Sequence, residues 1–65
     1  MENLRLANIL PYTSHAGVEL YLNDNRLEGE DYLRVMKDDY NYNVIGIMPY
    51  SDEKIEIHIV ERKEN

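Results

Sequence analysis

Apolar and polar residues alternate most cleanly at two places. In Val18-Glu19-Leu20-Tyr21-Leu22, Val18, Leu20 and Leu22 share one side and Glu19 and Tyr21 the other. In Ile55-Glu56-Ile57-His58-Ile59, three isoleucines share one side and Glu56 and His58 the other. A period of two is that of a strand with one buried face, so both segments are predicted strands. Val44-Ile45-Gly46-Ile47-Met48 is apolar at both parities and is expected as a central or doubly covered strand. Near the start, Leu6, Ile9 and Leu10 share a helical face, which predicts a short helix over 2–11 with Asn3 as N-cap and Pro11 as its stop. Leu4, Leu6, Asn8 and Leu10 also nearly alternate, so a strand is the alternative there.

The polar stretches supply the punctuation. Thr13 to Gly17 reads as a loop, and Asn23-Asp24-Asn25 as a turn, because Asn and Asp tolerate left-handed backbone. Another break is expected at Glu28-Gly29-Glu30. The segment 31–37 carries two signals. Acids at 30 and 31 with Arg34 and Lys37 later suit a helix dipole. Tyr32, Leu33 and Val35 favour a strand, and that is the reading taken, paired back on the first strand. Residues 37–43 form a polar connection with room for one helical turn, and Pro49 to Lys54 turns the chain into the last strand.

These elements predict one α+β domain over residues 1–65. It is a small, mainly antiparallel sheet of three to four strands with one N-terminal helix packed on one face. The expected core is Leu6, Ile9, Leu10, Val18, Leu20, Leu22, Leu33, Val44, Ile45, Ile47, Ile55, Ile57 and Ile59, and 62–65 are expected to be a frayed tail.

Size and charge narrow the function. A 65-residue chain buries only roughly 60% of the surface its unfolded form exposes, so it needs tight packing or self-association. It has no cysteine, which excludes disulfides, thiolate metal sites and cysteine catalysis. Seven basic residues face thirteen acidic ones, for a net charge of −6. Phosphate contacts need a basic surface, so no nucleic acid is expected as a partner, and neither is an anionic membrane. A nucleic-acid role would have to draw on Arg26, Arg34, Lys37 and Lys54. A basic protein partner suits the charge better. With no targeting segment visible and no apolar run near bilayer length, the expected location is cytoplasmic.

Two further patterns bear on origin. Ile9-Leu10-Pro11-Tyr12-Thr13-Ser14 echoes Ile47-Met48-Pro49-Tyr50-Ser51-Asp52, and the two alternating strands follow each copy. This reads either as a duplication or as the recurrence of Pro-Tyr turns before strands. The opening LRLANILPY, the strand VELYL and the closing VIGIMPYSDEKIEIHIVE resemble a loose group of short, mostly uncharacterised proteins carried by phages and conjugative elements of Gram-positive gut bacteria. The resemblance implies an accessory or regulatory role on a mobile element and carries over no catalytic residue.

Candidate chemistry is sparse. Ser14-His15 are adjacent, but no nucleophile elbow surrounds them, and the three glycines form no phosphate cradle. A calcium loop beginning at Asp24 places Gly29 correctly but puts Arg26 and Val35 where ligands are needed. No metal or cofactor is expected. Glu19, Tyr21, Glu56 and His58 would cluster on the outward face if the two alternating strands are neighbours. A histidine held by a carboxylate can serve as an acid–base group or a pH switch. All six aromatics are tyrosine, at 12, 21, 32, 40, 42 and 50, a residue suited to half-wet surfaces. Asp38-Asp39-Tyr40-Asn41-Tyr42 combines acids and rings in one loop, a match for an arginine-rich surface.

The expected function is therefore a non-enzymatic interaction module that shows an acidic, tyrosine-bearing surface to a protein partner. Asp38, Asp39, Tyr40, Tyr42, Glu19, Tyr21, Glu56 and His58 are its contact residues. A homodimer pairing through a sheet edge or apolar face is one alternative. A small ligand-binding or hydrolytic protein using Glu56 and His58 is another.

Overall fold

The computed structural model describes residues 4–13, 17–51 and 53–62. The first helix, α1, is one turn, Leu6–Ile9, and tightens into a 3-10 turn over Leu10–Thr13. Pro11 explains the tightening: it has no N–H to donate to Ala7, so α-helical pairing cannot continue through it. Ahead of α1 the chain is extended, and the Arg5 N–H donates to Asn8 Oδ1 at 2.9 Å across the helix start. The expected helix over 2–11 is thus shorter, with Leu4 and Arg5 strand-like. Asn3 lies outside the described residues.

Strand β1 runs Gly17–Leu22 and turns into the two-residue β2, Asn25–Arg26. Asn23 and Asp24 both have positive φ, 52° and 67°, the backbone of a type I′ hairpin turn. Glycine is the favoured second residue of that turn. Asp24→Gly is expected to stabilise the domain by about 0.5–1 kcal/mol, read as a rise of several degrees in the thermal midpoint.

The segment 29–37 is a helix, α2 (Gly29–Lys37), and not the expected strand. Its inward residues are Tyr32, Val35 and Met36, spaced three and four apart. The Leu33–Val35 alternation is incidental: Leu33 is 58% exposed and leaves the expected core, while Val35 enters it. Glu30 and Asp31 in the first turn and Arg34 and Lys37 in the last complement the helix dipole. A 3-10 turn, Asp39–Asn41, follows in the polar connection.

Strand β3 (Tyr42–Pro49) then forms a hairpin with β4 (Lys54–Glu61). The sheet order is β2-β1-β4-β3, with β1 parallel to β4 and the outer pairings antiparallel. The chain's last strand therefore lies at the centre. Leu6, Leu20, Val35, Val44, Ile57 and Ile59 form the buried core between the sheet and both helices. Each contributes about 1.5–3 kcal/mol of apolar burial before entropy is counted. The fold is α+β as expected, with the second helix in place of a strand.

Three expectations change with this topology. Val44–Met48 is at an edge and not central. A bulge between Val44 and Gly46 puts Ile45 out of register, 59% exposed, and Ile47 is only partly covered. The tail does not fray at 62, because the Arg62 N–H donates to the Asn41 carbonyl at 2.8 Å; residues 63–65 lie outside those described. The two Pro-Tyr segments differ, one in a 3-10 turn and the other at the end of a strand. The strands that follow them are side by side, Val18 opposite Ile55 through Leu22 opposite Ile59. Their likeness reflects a shared central environment, not two equivalent units.

Both sheet edges are blunted. At β3 the Val44 N–H donates to the Leu4 carbonyl at 2.8 Å, and Arg5 bridges Asn43. Beyond that come the bulge and Pro49, which has no N–H. At β1 the Leu27 N–H donates to Leu20 at 2.9 Å and the Tyr32 hydroxyl to Val18 at 3.0 Å.

Candidate binding site on the open sheet face

Because both helices pack on one side, the other face of the sheet is left open. Its residues follow from strand parity and register. One row runs Glu19, Glu56, Met48 across β1, β4 and β3. The next runs Arg26, Tyr21, His58, Gly46. The expected clustering of Glu19, Tyr21, Glu56 and His58 is what the parallel β1–β4 pairing produces.

His58 is at the centre of the cluster. Its ring stacks on Tyr21 with centroids 4.9 Å apart and planes 14° from parallel. Its Nε2 lies 2.7 Å from Glu56 Oε1. An ionised carboxylate only accepts, so the Nε2 proton is the donor. The other ring nitrogen, Nδ1, is 3.9 Å from Asp24 Oδ1 in the exposed hairpin turn. Arg26 stands at the far side of Tyr21, its guanidinium 3.6 Å from Glu19 and 3.8 Å from Glu28.

Glu56 is the unusual member, an acidic residue only 8% exposed on the open face. A hydrogen bond from Tyr50 holds its carboxyl below the ordinary glutamate range, against the opposing effect of burial, and His58 adds to the lowering. The same carboxylate holds the Tyr50 phenol well above its usual range. Tyr50 nevertheless leaves 56% of its surface exposed. Among the described residues, no Lys or Arg lies within ion-pair distance of Glu56.

The second group of expected contact residues is separate in character. Asp38 ends α2 and accepts a hydrogen bond from the Asn41 amide at 2.5 Å. Tyr40 is exposed, but Tyr42 packs against the core on the helix-bearing side and leaves the contact set. Tyr32 is likewise a core-flanking ring with its hydroxyl bonded to backbone. Ser14 and His15 lie outside the described residues.

Arg26, Met48 and Tyr50 belong to the open-face cluster and were not singled out from sequence. A two-residue turn at Asn23-Asp24 would have placed Arg26 beside Tyr21. The parity of Met48 is hidden by the bulge at Ile45, which shifts every later β3 residue by one.

Chemically, the cluster is a hydrogen-bonded acid–imidazole pair flanked by phenol rings. Among the described residues no group of three or more His, Cys, Asp or Glu is arranged to hold a metal ion, and no helix is long and apolar enough to cross a membrane. Shallow, open depressions lie elsewhere, one along α2 beside Leu33 and Arg34 and one at the end of the open face beside Asn23 and Val60. No family model matches the chain, and neither does any curated protein or solved structure.

Proposed function

We propose that this chain is a non-enzymatic interaction module that presents the open face of its sheet to a protein partner. The supporting observation is the pairing of two blunted edges with one uncovered face. Partners that add a strand need unsatisfied edge groups, and here the bulge, Pro49, Leu4 and Tyr32 occupy or remove them. The open face instead offers Met48 and Tyr50, both more than half exposed, beside the acid–imidazole pair. Aromatic and methionine side chains ringed by polar groups are the composition of interface centres. The resemblance to mobile-element proteins supports an accessory role, in the cytoplasm, for such a module. The Asp38-Asp39-Tyr40 loop is a second, smaller contact in this reading.

Affinity capture from host lysate, repeated with Met48→Asp and with Asp38→Asn/Asp39→Asn, tests the proposal. The expected result is a partner retained by the loop variant and lost with Met48→Asp. A partner indifferent to Met48→Asp, or no partner at low salt, would overturn it.

A homodimer through the same face is the second reading, favoured by the small core and the exposed Met48–Tyr50 patch. Sedimentation equilibrium separates the two: a dimer at micromolar concentration supports it, and a monomer at high micromolar concentration removes it.

A further inference from the structure

Among the described residues, no lysine or arginine balances the carboxylate at the centre of the open face. Glu56 is more than nine-tenths buried, and its partners are a phenol and an imidazole. Burying a carboxylate costs solvation that a permanent cation would offset, and among the described residues no lysine or arginine is within reach. Flat rings surround it: the half-buried Tyr21–His58 stack, and Tyr50, which is 56% exposed. A guanidinium stacks on such rings while its N–H groups pair with a carboxylate, which a compact ammonium does less well. The face already accommodates one guanidinium, that of Arg26 over Glu19 at 3.6 Å. Opposite His58, on the side away from Tyr21, Gly46 contributes no side chain, and a Cβ built there would meet only His58 Cβ, at 3.8 Å, which leaves a notch beside the His58 ring.

We propose that this notch receives an arginine side chain from a basic segment of a protein partner, its guanidinium lying against the His58 ring and pairing with Glu56. The proposal rests on the open-face reading above and names the partner's chemistry. The net charge of −6 acts in the same direction at longer range, drawing a basic segment toward the domain.

The test is a titration of the isotope-labelled full chain with hexa-arginine, with hexa-lysine and hexa-glutamate as controls, followed by amide NMR shifts. The expected result is hexa-arginine binding at least about tenfold tighter than hexa-lysine, with shifts centred on Tyr21, Gly46, Glu56 and His58. Glu56→Gln keeps hydrogen-bonding capacity toward Tyr50 and His58 and is expected to weaken binding by about tenfold or more. Gly46→Val is the second variant. A Cβ there meets only His58 Cβ, at 3.8 Å, so the strand tolerates it while the notch fills. It is expected to keep a dispersed spectrum and lose hexa-arginine binding.

Equal affinity for hexa-lysine would overturn the inference, as would shifts centred on Asp38 and Asp39 or binding unchanged in Gly46→Val. Concentration-dependent shifts of the same amides without peptide would overturn it too, by assigning the face to a second copy of the chain. If hexa-arginine fails but lysate capture still depends on Met48, the arginine inference falls and the interaction module stands. If both fail, the module falls with it.

Discussion

Ile57→Ala is expected to leave little folded protein at room temperature, whereas Leu33→Ala is expected to change stability by no more than about 0.5 kcal/mol. Ile57 is fully buried on the central strand, opposite Leu20 on one side and Ile47 on the other. Truncating a buried isoleucine to alanine costs about 2–5 kcal/mol in lost transfer and cavity terms. A domain of this length has about 3–10 kcal/mol in total, so one such change removes much or all of it. Leu33 is as large as the leucines and isoleucines of the core, yet it projects from α2 into solvent. Urea denaturation of both variants beside the parent checks the contrast. A Leu33→Ala midpoint as low as that of Ile57→Ala would contradict the helical placement of 29–37.

The second large effect is a stability profile that falls at both ends of the pH range, with both limbs traceable to the Glu56–Tyr50 pair. Glu56 is held below the ordinary value of 4.5 in the folded state. Below that value the unfolded chain takes up a proton that the folded chain resists, so this stabilisation is present above the unfolded pKa and lost as pH falls through the folded one. Tyr50 has the opposite sign. Its phenol is raised above the ordinary 10.0. Its contribution is complete below that value and disappears as pH rises through the folded pKa. Urea midpoints measured across the pH range are expected to fall below about pH 4–5 and again above about pH 10. Glu56→Gln should flatten both limbs, because the Tyr50 shift depends on its carboxylate, and Tyr50→Phe should flatten the alkaline limb and weaken the acid one. An acid limb of unchanged steepness in Glu56→Gln would mean that other carboxylates dominate it.

The two variants bear on function as well as stability. His58 bonds to Glu56 and stacks on Tyr21, so the carboxylate fixes the ring beside Gly46. Loss of hexa-arginine binding in Glu56→Gln therefore has to be read beside Gly46→Val, which leaves all three groups in place.

Much of this arrangement was legible from local pattern. Alternation at 18–22 and 55–59 correctly assigned both strands and the sides that Glu19, Tyr21, Glu56 and His58 would occupy. The Asn-Asp turn was legible because few residues accept positive φ. The segment 29–37 was not, since Leu33 and Val35 obey a period of two by accident while Tyr32, Val35 and Met36 obey the period that matters. Ile45 and Ile47 looked like core because apolar residues at both parities suit a covered strand. A bulge at an edge produces the same composition for a different reason.

What the sequence by itself determined is which side of β1 and of β4 is apolar, since side-chain direction alternates along an unbulged strand whatever the surroundings. Only the tertiary structure decided which strands are neighbours, which edge is left over, and that both helices share one face. Those depend on α2 carrying the chain from the β2 edge to the β3 edge and on β4 closing between β1 and β3. Such pairings join residues far apart in the chain, and no local period encodes them. The open face, and with it the buried Glu56 beneath its tyrosines, is a consequence of that path.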